Sequence, residues 1–292
     1  MAAVSRILSH ASFAKTLKRR ILVIARWTAL VLFGWFVVFV GMATYMQTDV
    51  MFPRWQVLYT PSPAPSSGIT EETLSCVDAG GKQRVWFHPP GKAEAIIVYF
   101  PGNGMSLGQS FAAVQPFIAE GYGTLLLSYP GYEENEGTPG EASINAGVEC
   151  ALDWLDAQQS ASALPRIYYG YSMGTGVAAT AALKHQPRAV LLDAPYTSLA
   201  DAASATTGIP TVLTRLLLRT NFKTTPLCEQ TDIPLFIAHG TKDYIVPYKL
   251  GAALSEKCAE QATFIMVDGA GHLDLTHHDV AIKQLRWLNT LL

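Results

Sequence analysis

Gly170-Tyr171-Ser172-Met173-Gly174 is the stretch on which the reading of the fold turns. Glycines stand two positions before and after a serine, the pattern G-x-S-x-G. An apolar run, Ile167-Tyr168-Tyr169, leads in, and the small residues Thr175-Gly176-Val177-Ala178-Ala179 lead out. The pattern suits a very sharp strand-to-helix turn that lifts the serine oxygen above a sheet. The glycines let backbones approach where a Cβ would clash. Three fixed positions match by chance roughly one time in ten in such a chain, so the flanking strand and helix must supply the rest of the case. The competing reading is a Gly-rich packing turn with a capping serine.

Outward from that turn, short apolar runs predict strands at Ala95–Phe100, Thr124–Ser128, Arg166–Gly170, Ala189–Asp193, Leu235–His239 and Thr263–Val267. Helix-period stretches fall between and after them, near 107–120, 141–157, 173–185, 247–259 and 276–291. Alternation of this kind marks βαβ units and a parallel sheet. Two earlier strands, near 72–78 and 83–88, meet at Gly80-Gly81 in a hairpin turn. Val148, Leu152, Trp154 and Leu155 recur at helical spacing and read as core. Residues 195–233 break the alternation with Gly208-Ile209-Pro210 and a short apolar helix, Val212–Leu218. An interruption there predicts a small lid.

A serine hydroxyl is a weak nucleophile and needs a base within hydrogen-bond reach. After a G-x-S-x-G turn the partners follow in the order acid, then histidine. His272 lies in Gly269-Ala270-Gly271-His272, a Gly-rich loop just after the last predicted strand. His239 ends a strand and reads as a local hydrogen-bonding residue, His277 and His278 belong to the next helix, and His88 and His185 sit by the wrong elements. Asp243 follows the strand Leu235–His239 in His239-Gly240-Thr241-Lys242-Asp243, where a carboxylate can hold the histidine tautomer and stabilise the imidazolium. Asp193 at the end of the preceding strand is the alternative acid, and Asp274 is closest to His272 in sequence. An oxyanion needs preorganised N–H donors. The backbone of Met173 supplies one, and the loop Pro101-Gly102-Asn103-Gly104 supplies the other, with Asn103 the natural donor. The bland reading of that loop is an ordinary Asn-Gly turn.

The 292 residues are 49% apolar and 15% charged, enough for a substantial core. The net charge of −2 is unevenly spread. Residues 1–48 carry six Lys/Arg and no acid, leaving 15 basic against 23 acidic side chains, a balance of −8. An acidic domain repels phosphate backbones, so nucleic acid is not an expected partner. Trp27 to Tyr45 holds no charge, and nineteen helical residues span roughly 28 Å, the thickness of a bilayer core. Trp27 and Tyr45 stand where aromatic rings prefer the interface, and the basic side predicts a cytoplasmic N-terminus with the following domain exported. A cleaved signal ending near Gly41 and Ala43 and a mitochondrial transit segment are the competing readings. A buried core helix would keep a polar stripe. The chain thus divides into a basic segment (1–26), an anchor (27–45), a linker (46–70) containing the proline-alternating Thr60–Gly68, and a folded domain (71–292) with its lid near 195–233. The cysteines Cys76, Cys150, Cys228 and Cys258 are too scattered for zinc and read best as buried small hydrophobes, although export would permit a bridge such as Cys228–Cys258. No metal or organic cofactor is expected.

The segments Pro101–Gly104, Tyr129-Pro130-Gly131-Tyr132, Gly170–Gly174, Asp193-Ala194-Pro195-Tyr196-Thr197-Ser198-Leu199, His239–Asp243 and Gly269–His272 together resemble a branch of the α/β-hydrolase superfamily. Single-pass hydrolases, among them lysophospholipid lipases and protein depalmitoylases, belong to that branch. The resemblance runs in order from about residue 95 to 275. It implies an α/β-hydrolase fold: a mostly parallel central sheet, helices on both faces, a small lid, and one preceding transmembrane helix. It further implies a serine hydrolase acting on carboxylic esters or thioesters, lipid-like acyl esters or small molecules among them, with the membrane as partner. Two departures stand out. Pro101 replaces the usual His of a His-Gly-Asn oxyanion loop, and residues 200–228 match poorly, so the acyl and alcohol groups stay open. A peptidase and a non-catalytic scaffold are the alternatives. Oligomeric state, and hydrolysis against acyl transfer, are not encoded in these motifs.

Overall fold

In the computed structural model, residues 2–53, 62 and 68–292 are described, so most of the expected linker at 46–70, including its proline-rich part, lies outside them. The chain forms two units, Met1–Gln47 and Thr48–Leu292. Helix α1 runs without a break over Ala2–Met51. Between Lys18 and Asp49 it is long and apolar enough to cross a membrane. Leu32, Phe33, Trp35, Phe36 and Phe39 are all more than 60% exposed. A helix that is apolar all round and exposed has no aqueous reason to stay so.

The second unit holds strands β1 (Thr70–Cys76), β2 (Gly81–His88), β3 (Ile96–Phe100), β4 (Gly123–Leu127), β5 (Arg166–Tyr171), β6 (Ala189–Asp193), β7 (Leu235–Gly240) and β8 (Ala262–Val267). They make one sheet in the order β1-β2-β4-β3-β5-β6-β7-β8. Pairings are antiparallel along β1-β2-β4 and parallel from there to β8. The helices are α2 (Leu107–Ala119), α3 (Glu141–Asp156), α4 (Met173–His185), α5 (Leu199–Thr207), α6 (Thr211–Leu217), α7 (Pro226–Gln230), α8 (Tyr248–Lys257) and α9 (Val280–Leu288). This is the α/β-hydrolase fold.

The central strands are buried at every position, as the continuous apolar runs in β3 and β6 require once both sheet faces are covered. Successive residues divide between two cores. Val98, Phe100, Val190 and Leu192 face α3, α4 and α8 through Leu152, Val177 and Leu254. Ile97, Tyr99, Leu191 and Phe236 face α2 and α9 through Val114, Phe117, Val280 and Leu288. Helix α4 lies close to the sheet because its first residues are small: a Cβ at Gly174 would meet the Phe100 carbonyl oxygen at 2.0 Å.

Two features differ from the sequence expectation. Three short helices, α5 to α7, fill the 195–233 region where one was expected. The cysteines are paired rather than free: Cys76–Cys150 ties the end of β1 to α3, and Cys228–Cys258 ties α7 to the end of α8. Their Cα separations of 5.7 and 4.7 Å suit disulfides. Sequence spacing hid the first pair, since its partners lie 74 residues apart and meet only when β1 packs along α3.

Candidate active site

Ser172 occupies the turn between β5 and α4 at φ 51°, ψ −118°. That conformation is sparsely populated for a residue with a side chain and persists only where its surroundings impose it. Here the Ser172 N–H donates to the Asp193 carbonyl at 2.9 Å, and its own carbonyl accepts from the Thr175 N–H and hydroxyl. A Cβ at Gly170 would meet the Gly174 carbonyl oxygen at 2.6 Å. Both motif glycines are therefore explained by contact, and the turn presents the serine oxygen at the carboxyl edge of the sheet.

His272 comes from the loop after β8. Gly269 at φ 76° starts the return, the Tyr171 hydroxyl donates to the His272 carbonyl, and the Lys242 N–H donates to Ala270. The ring so placed puts Nε2 3.0 Å from Ser172 Oγ and Nδ1 2.6 Å from Asp243 Oδ2. Asp243 is buried, its other oxygen accepting from the N–H groups of Ile245 and Val246 at 2.9 and 2.8 Å. Burial opposes its ionisation, but hydrogen bonds from His239 and His272, with the His272 charge and the Val246 amide, outweigh it and hold the carboxyl well below the usual range. Ser172, His272 and Asp243 thus form one hydrogen-bonded line, brought together from three loops.

The alternative acids lie elsewhere. Asp193 is fully buried and spends its oxygens on the Tyr169 hydroxyl at 2.6 Å and the Gln284 amide at 2.8 Å. Burial pushes its pKa up to about 7, against the lowering effect of those two bonds. Asp274 accepts from the Gly271 N–H at 2.6 Å and braces the histidine loop. His185 pairs with Glu149 across α3 and α4, and His277 ends a short 3-10 turn.

His239 hydrogen-bonds locally, as its sequence suggested, but that one of its partners is Asp243 was not foreseen. His239 Nε2 lies 2.8 Å from the Val246 carbonyl and 3.3 Å from Asp243 Oδ2. Its i,i+4 spacing to Asp243 was visible, but only the fold of the loop turns both side chains inward.

Met173 opens α4, where the first N–H groups have no partner within the helix. Asn103 projects from the loop after β3, its amide donating to the Met51 carbonyl and its oxygen accepting from the Tyr132 hydroxyl at 2.8 Å. The side-chain amide is thus committed, and Tyr132 and Met51 fix the loop. Ser172, Met173 and Asn103 all line a cavity of about 270 Å³ whose remaining walls include Leu199, Ala202, Leu218 and Ile245. An apolar chamber with a few convergent polar groups is the usual form of a small-molecule site. Among the described residues, no group of three or more His, Cys, Asp or Glu could hold a metal ion.

A family model described as alpha/beta hydrolase fold matches residues 95–205. An uncharacterised protein of Mycobacterium tuberculosis is 30% identical over 242 residues, covering 78% of this chain and 83% of the relative. Human alpha/beta hydrolase domain-containing protein 17B is 27% identical over 202 residues, 66% of each chain. Among solved structures, a Pyrococcus furiosus esterase aligns over 80% of this chain and 97% of its own, with TM-score 0.66 and 15% identity. An alpha-beta hydrolase from Vibrio vulnificus aligns over 77% and 82%, with TM-score 0.61 and 21% identity. At these identities the structural likeness speaks for the fold alone.

Proposed function

This chain belongs to the α/β-hydrolase superfamily, and on that premise we propose that it is a serine hydrolase of carboxylic esters or thioesters, held to a membrane by its N-terminal helix. The observation that carries the proposal is the line Ser172 Oγ–His272 Nε2 at 3.0 Å and His272 Nδ1–Asp243 Oδ2 at 2.6 Å. His272 takes the Ser172 proton as the oxygen attacks the acyl carbon. Asp243 keeps the imidazole in the tautomer with Nε2 free and stabilises the imidazolium. His272 then protonates the leaving alcohol or thiol. Water enters, loses a proton to His272 and attacks the acyl carbon; the bond to Ser172 Oγ breaks, that oxygen regains the proton from His272, and the acid leaves. The negative oxygen formed in each half-reaction is met by the backbone N–H of Met173 and that of Asn103. The walls formed by Leu199, Ala202, Leu218 and Ile245 suit an acyl chain better than a charged group.

The same proposal places the N-terminus in the cytoplasm and the hydrolase domain on the exported side. The basic, acid-free leader supports that orientation. So do the two disulfides, which persist in oxidising compartments.

Labelling of membrane fractions with a fluorophosphonate probe tests the reading. The wild-type chain should label and Ser172→Ala should not. A folded wild-type chain that resists the probe would sink it. Esters and thioesters of increasing acyl length then define the substrate.

A further inference from the structure

The lid turns its apolar side outward. In α6, Thr214 is buried and its hydroxyl donates to the Ala200 carbonyl of α5 at 2.9 Å. The polar residue is thus the one that faces the domain. Val212 and Leu216 are 69% and 76% exposed, and Ile209, Leu213 and Leu217 are each at least 40% exposed. Tyr244, Ile245 and Leu273, beside the acid and the histidine, are exposed too. Half-buried Leu218, which follows the first group directly in the chain, and Ile245 of the second both line the active-site cavity. Large apolar side chains left exposed in segments that line a site are not what water stabilises.

Charge and chain length identify what covers this face. From Ala202 to Cys228 the chain has three basic residues, Arg215, Arg219 and Lys223, and no acidic one; Arg215 pairs with Asp201 of α5 at 3.4 Å, which still leaves the stretch basic in a domain that is otherwise acidic. Apolar side chains interleaved with basic ones favour an anionic lipid surface. Met51, which lines the same cavity, follows the last residue of the apolar span, Tyr45, by only six positions. Six residues reach at most about 20 Å even fully extended, so the connection from the apolar span to a cavity-lining residue is short.

We propose that the segment Ile209–Leu218 is a membrane-docking surface, which sets its apolar side chains among the lipids and opens the Ser172 cavity toward the bilayer. The substrate class that follows is an acyl ester resident in the membrane, whose chain enters past Leu218 and Ile245 without crossing bulk water. The docking claim stands on the surface alone, whereas the substrate claim rests on the serine-hydrolase reading.

The test uses the full chain in nanodiscs of zwitterionic and anionic phospholipid, spiked with a phospholipid carrying a photoactivatable acyl chain. Cross-links should map to the span 27–45 and also to 209–218. Labelling confined to the span, or cross-links joining two lids in place of lid and lipid, would overturn docking. In Val212→Glu/Leu216→Glu, neither of which lines the cavity, lid cross-linking should vanish. Hydrolysis of a long-chain ester in the disc should fall about tenfold or more, while a short water-soluble ester and fluorophosphonate labelling hold at wild-type levels. Unchanged long-chain hydrolysis, or an equal fall on both esters, overturns the substrate claim. A wild-type chain whose lid labels but which cleaves neither ester and resists the probe keeps the docking surface and defeats the hydrolase reading instead.

Discussion

Asp193→Asn separates the two buried carboxylates at the sheet edge. Native Asp193 holds its proton up to about pH 7, raised from 3.8 by burial. The unfolded chain releases that proton near 3.8, so the stability contributed by the neutral carboxyl is complete below that pH and is lost as pH rises through 7. The rise from 3.8 to about 7 corresponds to about 4 kcal/mol between pH 4 and pH 8. In a domain of this size that is about 10 °C in Tm. Asparagine fixes the neutral form. Gln284 Oε1, buried with no hydrogen-bond partner among the described residues, can accept from the new amide once the Gln284 side chain flips. Scanning calorimetry from pH 4 to 8.5 should find the variant close to wild type at the acid end and several degrees above it at the alkaline end. Probe labelling of Ser172 should be retained, because its N–H bonds the Asp193 backbone carbonyl rather than the carboxyl. A variant less stable than wild type at pH 8.5 would refute the burial argument, and one that loses probe labelling would return Asp193 to candidacy as the catalytic acid.

Gly174→Ala forces a Cβ to within 2.0 Å of one backbone oxygen and 2.6 Å of another, so the helix or β3 must shift; a loss of about 3 kcal/mol in urea unfolding is expected, and a near-neutral variant would show that α4 does not sit as close to the sheet as described. His239→Phe removes a donor to the Val246 carbonyl and to Asp243. It should lower kcat about tenfold with little change in KM. Asp243 stability is present above its unfolded pKa and lost as pH falls, so the variant, with a less depressed Asp243, should also lose less stability below about pH 4. An unaltered kcat would make His239 a bystander. Replacing Cys76 and Cys150 by alanine opens a 74-residue separation and should cost about 4 kcal/mol by loop-closure entropy, read as a lower urea midpoint under non-reducing conditions; no change would mean the pair is not bridged in the folded protein.

What was legible in the sequence is what is local. The strands and the helices packed on them were placed to within a few residues, because buried parallel strands are uninterrupted apolar runs, each flanked by turn residues; α1 runs over Ala2–Met51, well beyond the 27–45 read as apolar span. The loops bearing Ser172, Asp243 and His272 follow such strands, so each could be singled out as a candidate without knowing the others, and the fold brings the three side chains within hydrogen-bond reach. Contacts between distant elements were not legible. Nothing in composition or period couples Cys76 to Cys150, or Asn103 to the Met51 carbonyl, because those pairs are fixed by how whole elements dock. The lid shows the limit most clearly. Apolar residues at Val212, Leu213, Leu216 and Leu217 announce a helix, and helical period groups them on one side. Period cannot say whether that side faces the core or leaves it. Here the structure answers: the Thr214 hydroxyl bonds the Ala200 carbonyl of α5 as well as the Thr211 carbonyl of its own turn, so this face lies against α5. With the polar side drawn inward, the apolar side has only the outside left, and a sequence that looked like core becomes a surface in need of a non-aqueous neighbour.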